Sequence, residues 1–368
     1  MEFHQPSADD MIYIAFIIFT LLWAATVKTS PYRNAEERSL SLMMICPIMF
    51  VAILIMGLRN ITVGVDTGNY YTLFESYRNS SFELAMADRY EPFWTMCTWS
   101  ISRISGSYLF YQILFASVYC LLASRFLIIS IRYYKVISIT TVIVVFITSA
   151  YLIAFNASRQ MLAAMIIANS INSLMLSRNR EAILLWVMAL GIHYTAILSI
   201  PMLIFWKFRS SRWIKWGSTL SMSLIFFGFT YLLPALLQLG VWQRYLSNAM
   251  NHFQEANLSK WIWLIVTLHA FYIFIRNKRF GGGEVFVALC SLTWVFTNLL
   301  SPILNYSERI GLYYIPFIAL IYPIVGKTIR NINLRFVYFF IVTGIYAIWF
   351  VMASRTPQHS YSIYFTLT

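Results

Sequence analysis

Residues 151–171 read YLIAFNASRQMLAAMIIANSI. The stretch is apolar enough to lie in a bilayer, yet Asn156, Arg159 and Gln160 sit in its middle. An arginine at bilayer depth costs about 2.5–3.5 kcal/mol even on insertion scales. It is tolerated where it faces protein or water instead of lipid. The stretch therefore predicts a membrane-embedded helical fold with a polar place inside it.

The rest of the chain agrees. Of its 368 residues 60% are hydrophobic, 18% aromatic and only 11% charged, against about 25% charged in a soluble domain. Apolar runs of transmembrane length recur throughout. Full spans are predicted near 11–27, 41–57, 108–131, 136–154, 160–176, 216–236, 260–275, 284–301, 310–326 and 336–353. The fold class expected is an all-α polytopic integral membrane protein of about ten spans, in a single transmembrane domain over 1–368. The opening MEFHQPSADD is acidic and lacks a basic n-region, so the first apolar run is read as a retained helix. Cys46, Cys97, Cys120 and Cys290 are isolated, with no C-x-x-C pair. Neither a zinc site nor a disulfide framework is indicated, and the cysteines read as small apolar side chains.

The net charge of +13 is a matter of location. KTSPYRNAEERS, RYYK, SRNRE, KFRSSRWIK, RNKRFGGGE and KTIRNINLR hold 17 of the 27 Lys and Arg against four Glu, which is the whole excess. That is a positive-inside pattern: the basic loops anchor topology on the cytoplasmic side, and nucleic acid is not a partner. Both termini then face outward, as do a long loop over 58–107 with helical segments and a second outer loop over 237–259. Residues 182–206 are one apolar run with basic flanks on both sides. An even number of crossings is required there, which predicts a broken, re-entrant helical excursion turning near His193. Non-helical backbone is tolerated at that depth where it lines a cavity.

Sorted by this topology, the costly residues gather at outer ends. Arg59 follows the second span in GLRNITVGVDTGNYY; Arg159 and Gln160 open the fifth; Glu308 and Arg309 open a later one; His193 sits at the excursion's turn. They predict an outward-facing polar cavity. Asn156 or Ser158 is expected to cap the fifth span, whose N-terminus, with a guanidinium added, suits an anionic phosphate group. Each residue also has a plainer reading. Arg159 could pair with a carboxylate to fix packing, Arg59 could snorkel, Asp66 could cap a turn, Glu91 could begin a surface helix, and His193 could be structural. Arg125, near a cytoplasmic helix end, is expected to snorkel. Tyr70, Tyr71, Tyr90, Trp94 and Tyr306 border the expected cavity, where aromatic faces stack on sugar rings.

In order, Gly57-x-Arg59, Val65-Asp66-Thr67 with Tyr70, Tyr90-Glu91-Pro92-x-Trp94, Ser158-Arg159-Gln160 with Ala163, and His193-x-Thr195-Ala196 resemble the EpsG/Wzy family of bacterial surface-polysaccharide polymerases. The recognisable motifs cover roughly 50–200; beyond that only hydropathy agrees. The resemblance implies a GT-C-like membrane glycosyltransferase working at the outer face of the bacterial inner membrane. A glycan chain on undecaprenyl pyrophosphate would move to a hydroxyl of a new carrier-linked repeat unit, with a chain-length regulator protein as a further partner. The donor already has a good leaving group, so the need is for cations around the departing pyrophosphate. Arg59, Arg159 and Gln160 fill that role, with Arg309 added by inference, and no metal or cofactor is expected. The acceptor needs a general base: Glu91 or Asp66, with His193 third or as a phosphate ligand. Alternatives are an O-antigen ligase or other lipid-linked glycosyltransferase, a membrane O-acyltransferase, and a lipid-linked-sugar flippase. An acyltransferase would carry key His and Arg in its first spans, and a flippase would have twelve or more spans.

Overall fold

A computed structural model describes residues 11–29, 37–88, 90–209, 281–299 and 307–354. The expected spans at 216–236 and 260–275, the loop 237–259 and Tyr306 lie outside these. Every regular element among the described residues is helical. Three helices there are long and apolar enough to cross a membrane: Tyr108–Tyr133, Ile139–Asn156 and Ile332–Ser354. Shorter apolar helices run over Met11–Thr26, Met43–Gly57, Tyr194–Lys207 and Ile315–Gly326. This is a membrane protein.

The chain divides into two compact units, 1–197 with 322–368, and 198–321. In the first, α1 (Met11–Thr29) and α2 (Glu37–Gly57) are followed by three short helices, α3 (Thr67–Arg78), α4 (Phe82–Met86) and α5 (Pro92–Ser105). Then come α6 (Tyr108–Tyr133), α7 (Ile139–Phe146), a π-helical turn (Ile147–Tyr151), α8 (Ile153–Asn156), α9 (Ser158–Met175) and α10 (Asn179–Ile192). The long helix α15 (Ile332–Ser354) closes the unit. The second unit holds α11 (Ile200–Lys207), α12 (Gly282–Leu299), α13 (Ser307–Gly311) and most of α14 (Ile315–Gly326). Its core stacks Phe286 edge-on against both Trp206 and Phe317.

The central element is α9, buried on all sides from Ser158 to Ser173 except at Arg159. A helix apolar or small all round has no solvent face to offer. Its few polar groups are instead satisfied by neighbours: Asn169 donates to the Leu122 carbonyl (2.9 Å), and Asn172 to that of Phe126 (3.0 Å). Close approach of α2 to α6 depends on Gly57, where a Cβ would lie 3.1 Å from the Ile113 backbone.

One end of this unit collects three of the basic segments. Lys327 donates to the Tyr134 carbonyl, and Arg125 pairs with Glu181 while donating to Asn169 (3.2 Å) and Ser173 (3.3 Å). Arg125, expected to snorkel, is answered by this ion pair. Residue 125 lies two turns inside its helix end, and its guanidinium is satisfied by α9 and α10.

The excursion over 182–206 is broken where expected. Helix α10 stops at Ile192, His193 is extended (φ −153°, ψ 115°), and a 3₁₀ turn over Tyr194–Ser199 leads into α11.

Candidate functional site

At the other end of the first unit the motifs converge on the start of α9. Residues 60–66 form a tight turn. Asn60 Oδ1 accepts from the Thr62 N–H (3.1 Å), and Gly64 takes φ +94°, a left-handed conformation natural to glycine. The turn docks on the junction between α8 and α9: the Val65 N–H donates to Asn156 Oδ1 (3.1 Å). A Cβ on Gly64 would fall on the Phe155 carbonyl oxygen and within 2.9 Å of Thr67 Oγ1.

That docking places Arg59. Its backbone carbonyl accepts from Gln112 Nε2 (2.7 Å), which also reaches the Gly57 carbonyl (3.2 Å). Its side chain, only 2% exposed, donates from Nη2 to Thr67 Oγ1 (3.3 Å) and Ser158 Oγ (3.4 Å). The guanidinium lies over the Phe155 ring, 4.7 Å from its centroid. Thr67 and Ser158 can accept because each gives its own proton away, to the Val63 (2.7 Å) and Ala154 (2.7 Å) carbonyls. Arg59 thus reaches the residue next to Arg159, and the two cations share one helix start.

Two expectations change here. Neither Asn156 nor Ser158 caps α9; the N-cap position is Ala157 and no side chain closes it. Asn156 is committed to Val65, and Ser158 to Ala154. Moreover α8 runs into α9 with only Ala157 (φ −108°, ψ 49°) between them. The junction is a kink inside a nearly continuous helix, which offers less dipole than a free N-terminus.

Arg159 meets Glu91. The carboxylate occupies the N-cap position of α5 yet makes no cap bond to its own helix, and Glu91 is 4% exposed. Instead Oε2 pairs with Arg159 Nη1, while Oε1 accepts from the Tyr194 N–H (3.0 Å) and lies 3.2 Å from His193 Nδ1. The break after α10 delivers both of these last donors. Burial alone would raise the Glu91 pKa; the His193 and Tyr194 hydrogen bonds and the Arg159 charge outweigh it and hold the carboxyl below its ordinary value. Turned to the carboxylate, Nδ1 is the nitrogen that donates to it. The Thr195 hydroxyl lies 3.3 Å from the same Nδ1.

The aromatic residues enclose this constellation. Tyr90 lies under Arg159, 4.8 Å from ring centroid to guanidinium carbon. Tyr70 is tilted against Trp94 at 5.6 Å, and Trp94 is 3% exposed. Burial, helped by Asp66, pushes the Tyr70 hydroxyl up to about 12. Asp66 stands at the N-cap of α3 without a side-chain cap bond, within electrostatic reach of Tyr70. Gln160 is buried beside Arg159. Arg309 is exposed and belongs to the second unit. Arg59, Asp66, Tyr70, Tyr90, Glu91, Trp94, Arg159, Gln160 and His193 all belong to the first unit.

Sequence reasoning missed the supports: Gln112, Thr67 and Ser158 hold Arg59, and Asn156 holds its turn. Gln112, the one amide in its span, is the available signal.

The EpsG family matches residues 42–366, nearly the whole chain. No curated protein and no solved structure matches it.

Proposed function

Since the chain belongs to the EpsG family, a family of Wzy-like polysaccharide polymerases, we propose that it elongates a surface polysaccharide at the outer face of the bacterial inner membrane. The donor is a glycan chain on a polyprenyl pyrophosphate, normally undecaprenyl; the acceptor is a hydroxyl of a newly arrived carrier-linked repeat unit. The observation that carries this reading is the linked run Arg59–Ser158–Arg159–Glu91–His193, buried except at the partly exposed Arg159 and His193, in which two cations and one carboxylate-held imidazole share a single helix junction.

In the proposed step the bond between the anomeric carbon and the pyrophosphate oxygen breaks, and the acceptor oxygen bonds to that carbon. The negative charge left on the pyrophosphate is met by Arg59 and Arg159. Their guanidinium groups are fixed before substrate arrives, by Thr67 and Ser158 for one and by Glu91 and Tyr90 for the other. Arg159 Nε is buried and makes no hydrogen bond among the described residues, so the side chain has donor capacity beyond its ion pair. Losing one preorganised donor of this kind typically costs about 2.7–4 kcal/mol of transition-state stabilisation.

The acceptor proton passes to His193 Nε2, and Glu91 holds the resulting imidazolium through Nδ1. Of the bases expected, Glu91 or Asp66 with His193 third, this ordering takes His193 and gives Glu91 the orienting role. A carboxylate already receiving Arg159, Tyr194 and His193, with its pKa lowered, is a weak proton acceptor and a good orienting group. Asp66, beside Tyr70, is assigned to the acceptor sugar, and Gln160 to the pyrophosphate with the two arginines. Tyr70, Tyr90 and Trp94 wall the sugar path. A chain-length regulator is the protein partner, and the chemistry needs no resident metal.

The test is a gel of surface polysaccharide from cells lacking the chromosomal copy and carrying variants. Arg159→Ala is expected to leave single repeat units at the surface and no ladder. A normal ladder overturns the proposal. Loss of all glycan from the lipid core while free polymer persists identifies a ligase instead.

A further inference from the structure

A groove of about 640 Å³ runs between α2 and α6, away from the site above. Phe50 and Ile53 form one wall, Leu121 and Ile128 the other, and Phe50 and Leu121 are more than 60% exposed. Arg132 stands at one end, with Arg125 lining the floor. Arg125 is answered by Glu181, whereas Arg132 is exposed and makes no ion pair among the described residues. From Cys120 to Arg132 the groove follows α6 for about 18 Å at 1.5 Å per residue. One leaflet's hydrocarbon is about 15 Å deep, half of a 30 Å core. Arg132 belongs to the basic segment RYYK, one of those that the charge pattern places on the cytoplasmic side.

We propose that this groove is a binding site for one anionic glycerophospholipid of the inner leaflet. An acyl chain lies between α2 and α6, and the headgroup phosphate rests on Arg132. Depth, apolar walls and a single unanswered cation at the interfacial end select such a lipid over a zwitterionic one. A basic pocket between helices at this level is the general form of such sites. The inference stands apart from the polymerase reading, since no residue is shared.

The purified full-length protein, reconstituted with phosphatidylglycerol carrying a photoreactive acyl chain, tests it. Adducts mapped by peptide mass spectrometry are expected on 46–53 and 120–132, and unlabelled phosphatidylglycerol should displace them. Arg132→Gln, on an exposed side chain, should lower their yield about fivefold, with adducts on the exposed Phe340 of α15 unchanged as a reference. Equal displacement by phosphatidylcholine shows ordinary boundary lipid and overturns the proposal. So does a full adduct yield in R132Q, or displacement by a polyprenyl phosphate alone.

Discussion

Glutamine at position 91 keeps the shape of the side chain and removes the charge on which three donors converge. In Glu91→Gln an amide oxygen kept in the Oε1 place still serves Tyr194 and His193 but turns an NH₂ group on Arg159, and the flipped amide serves Arg159 while setting its NH₂ against the other two, donor against donor. Breaking a buried pair from one side typically costs about 3–5 kcal/mol. With the two side chains 5% and 17% exposed, the lower end applies to this pair. About 3 kcal/mol corresponds to a fall of roughly 6–12 °C in melting temperature for a unit of this size. Arg159→Gln should cost about as much. The double variant puts two amides within reach of each other and should cost less than the sum, with a coupling of about 1–3 kcal/mol. Thermal unfolding in detergent, followed by intrinsic fluorescence, measures all four corners. Polymer formation reports separately, because losing an oriented base should lower turnover about 10²–10⁴-fold even below the melting temperature. Additive melting shifts would refute the pairing, and a normal ladder in E91Q would refute the role given to the carboxylate.

Other perturbations have defined outcomes. Arg59→Lys cannot span Thr67 and Ser158 with a planar fork, so polymer should disappear while expression holds, as seen by gel and immunoblot. Gly64→Ala adds left-handed strain of about 1–2 kcal/mol and a collision with Phe155, so it should unseat the turn carrying Arg59 and abolish the ladder; proteolysis near 60–66 should quicken. Because folding depresses the Glu91 pKa below its value of 4.5 in the open chain, the stability it supplies is complete above about pH 4.5 and lost as pH falls through the folded value. The melting difference between wild type and E91Q should therefore shrink below pH 4.5. Glu181→Gln breaks a half-exposed pair at the opposite end, should cost at most about 1 kcal/mol, and should leave the ladder unchanged.

The break at His193 was legible because it followed from counting: basic flanks on both sides of one apolar run leave no other solution. Arg159 was legible because a cation inside a hydrophobic run stands out. Its partner was not. Glu91 lies 68 residues away in a loop whose local pattern, a carboxylate before proline, fits a surface helix equally well. Hydropathy separates lipid-facing from polar surface but carries no record of which polar groups meet across a bundle. The same limit explains the capping expectation for α9: Asn156 and Ser158 have the right chemistry at the right place, and a loop some 90 residues earlier in the chain claims Asn156 first.

The π-helical turn at 147–151 bears on all of this. It is fully buried and held at three heights: the Ala150 carbonyl takes the Tyr119 hydroxyl (3.0 Å), Thr148 donates to the Tyr346 carbonyl (3.1 Å), and Tyr151 donates to that of Ala52 (2.7 Å). A wide turn of this kind carries one residue more than its α-helical equivalent, and each residue advances a helix by about 100°. Deleting one residue there would swing everything downstream through that angle, carrying Asn156 off the Val65 amide and Arg159 away from Glu91. The azimuth of the whole constellation is set by a winding defect a full turn below it.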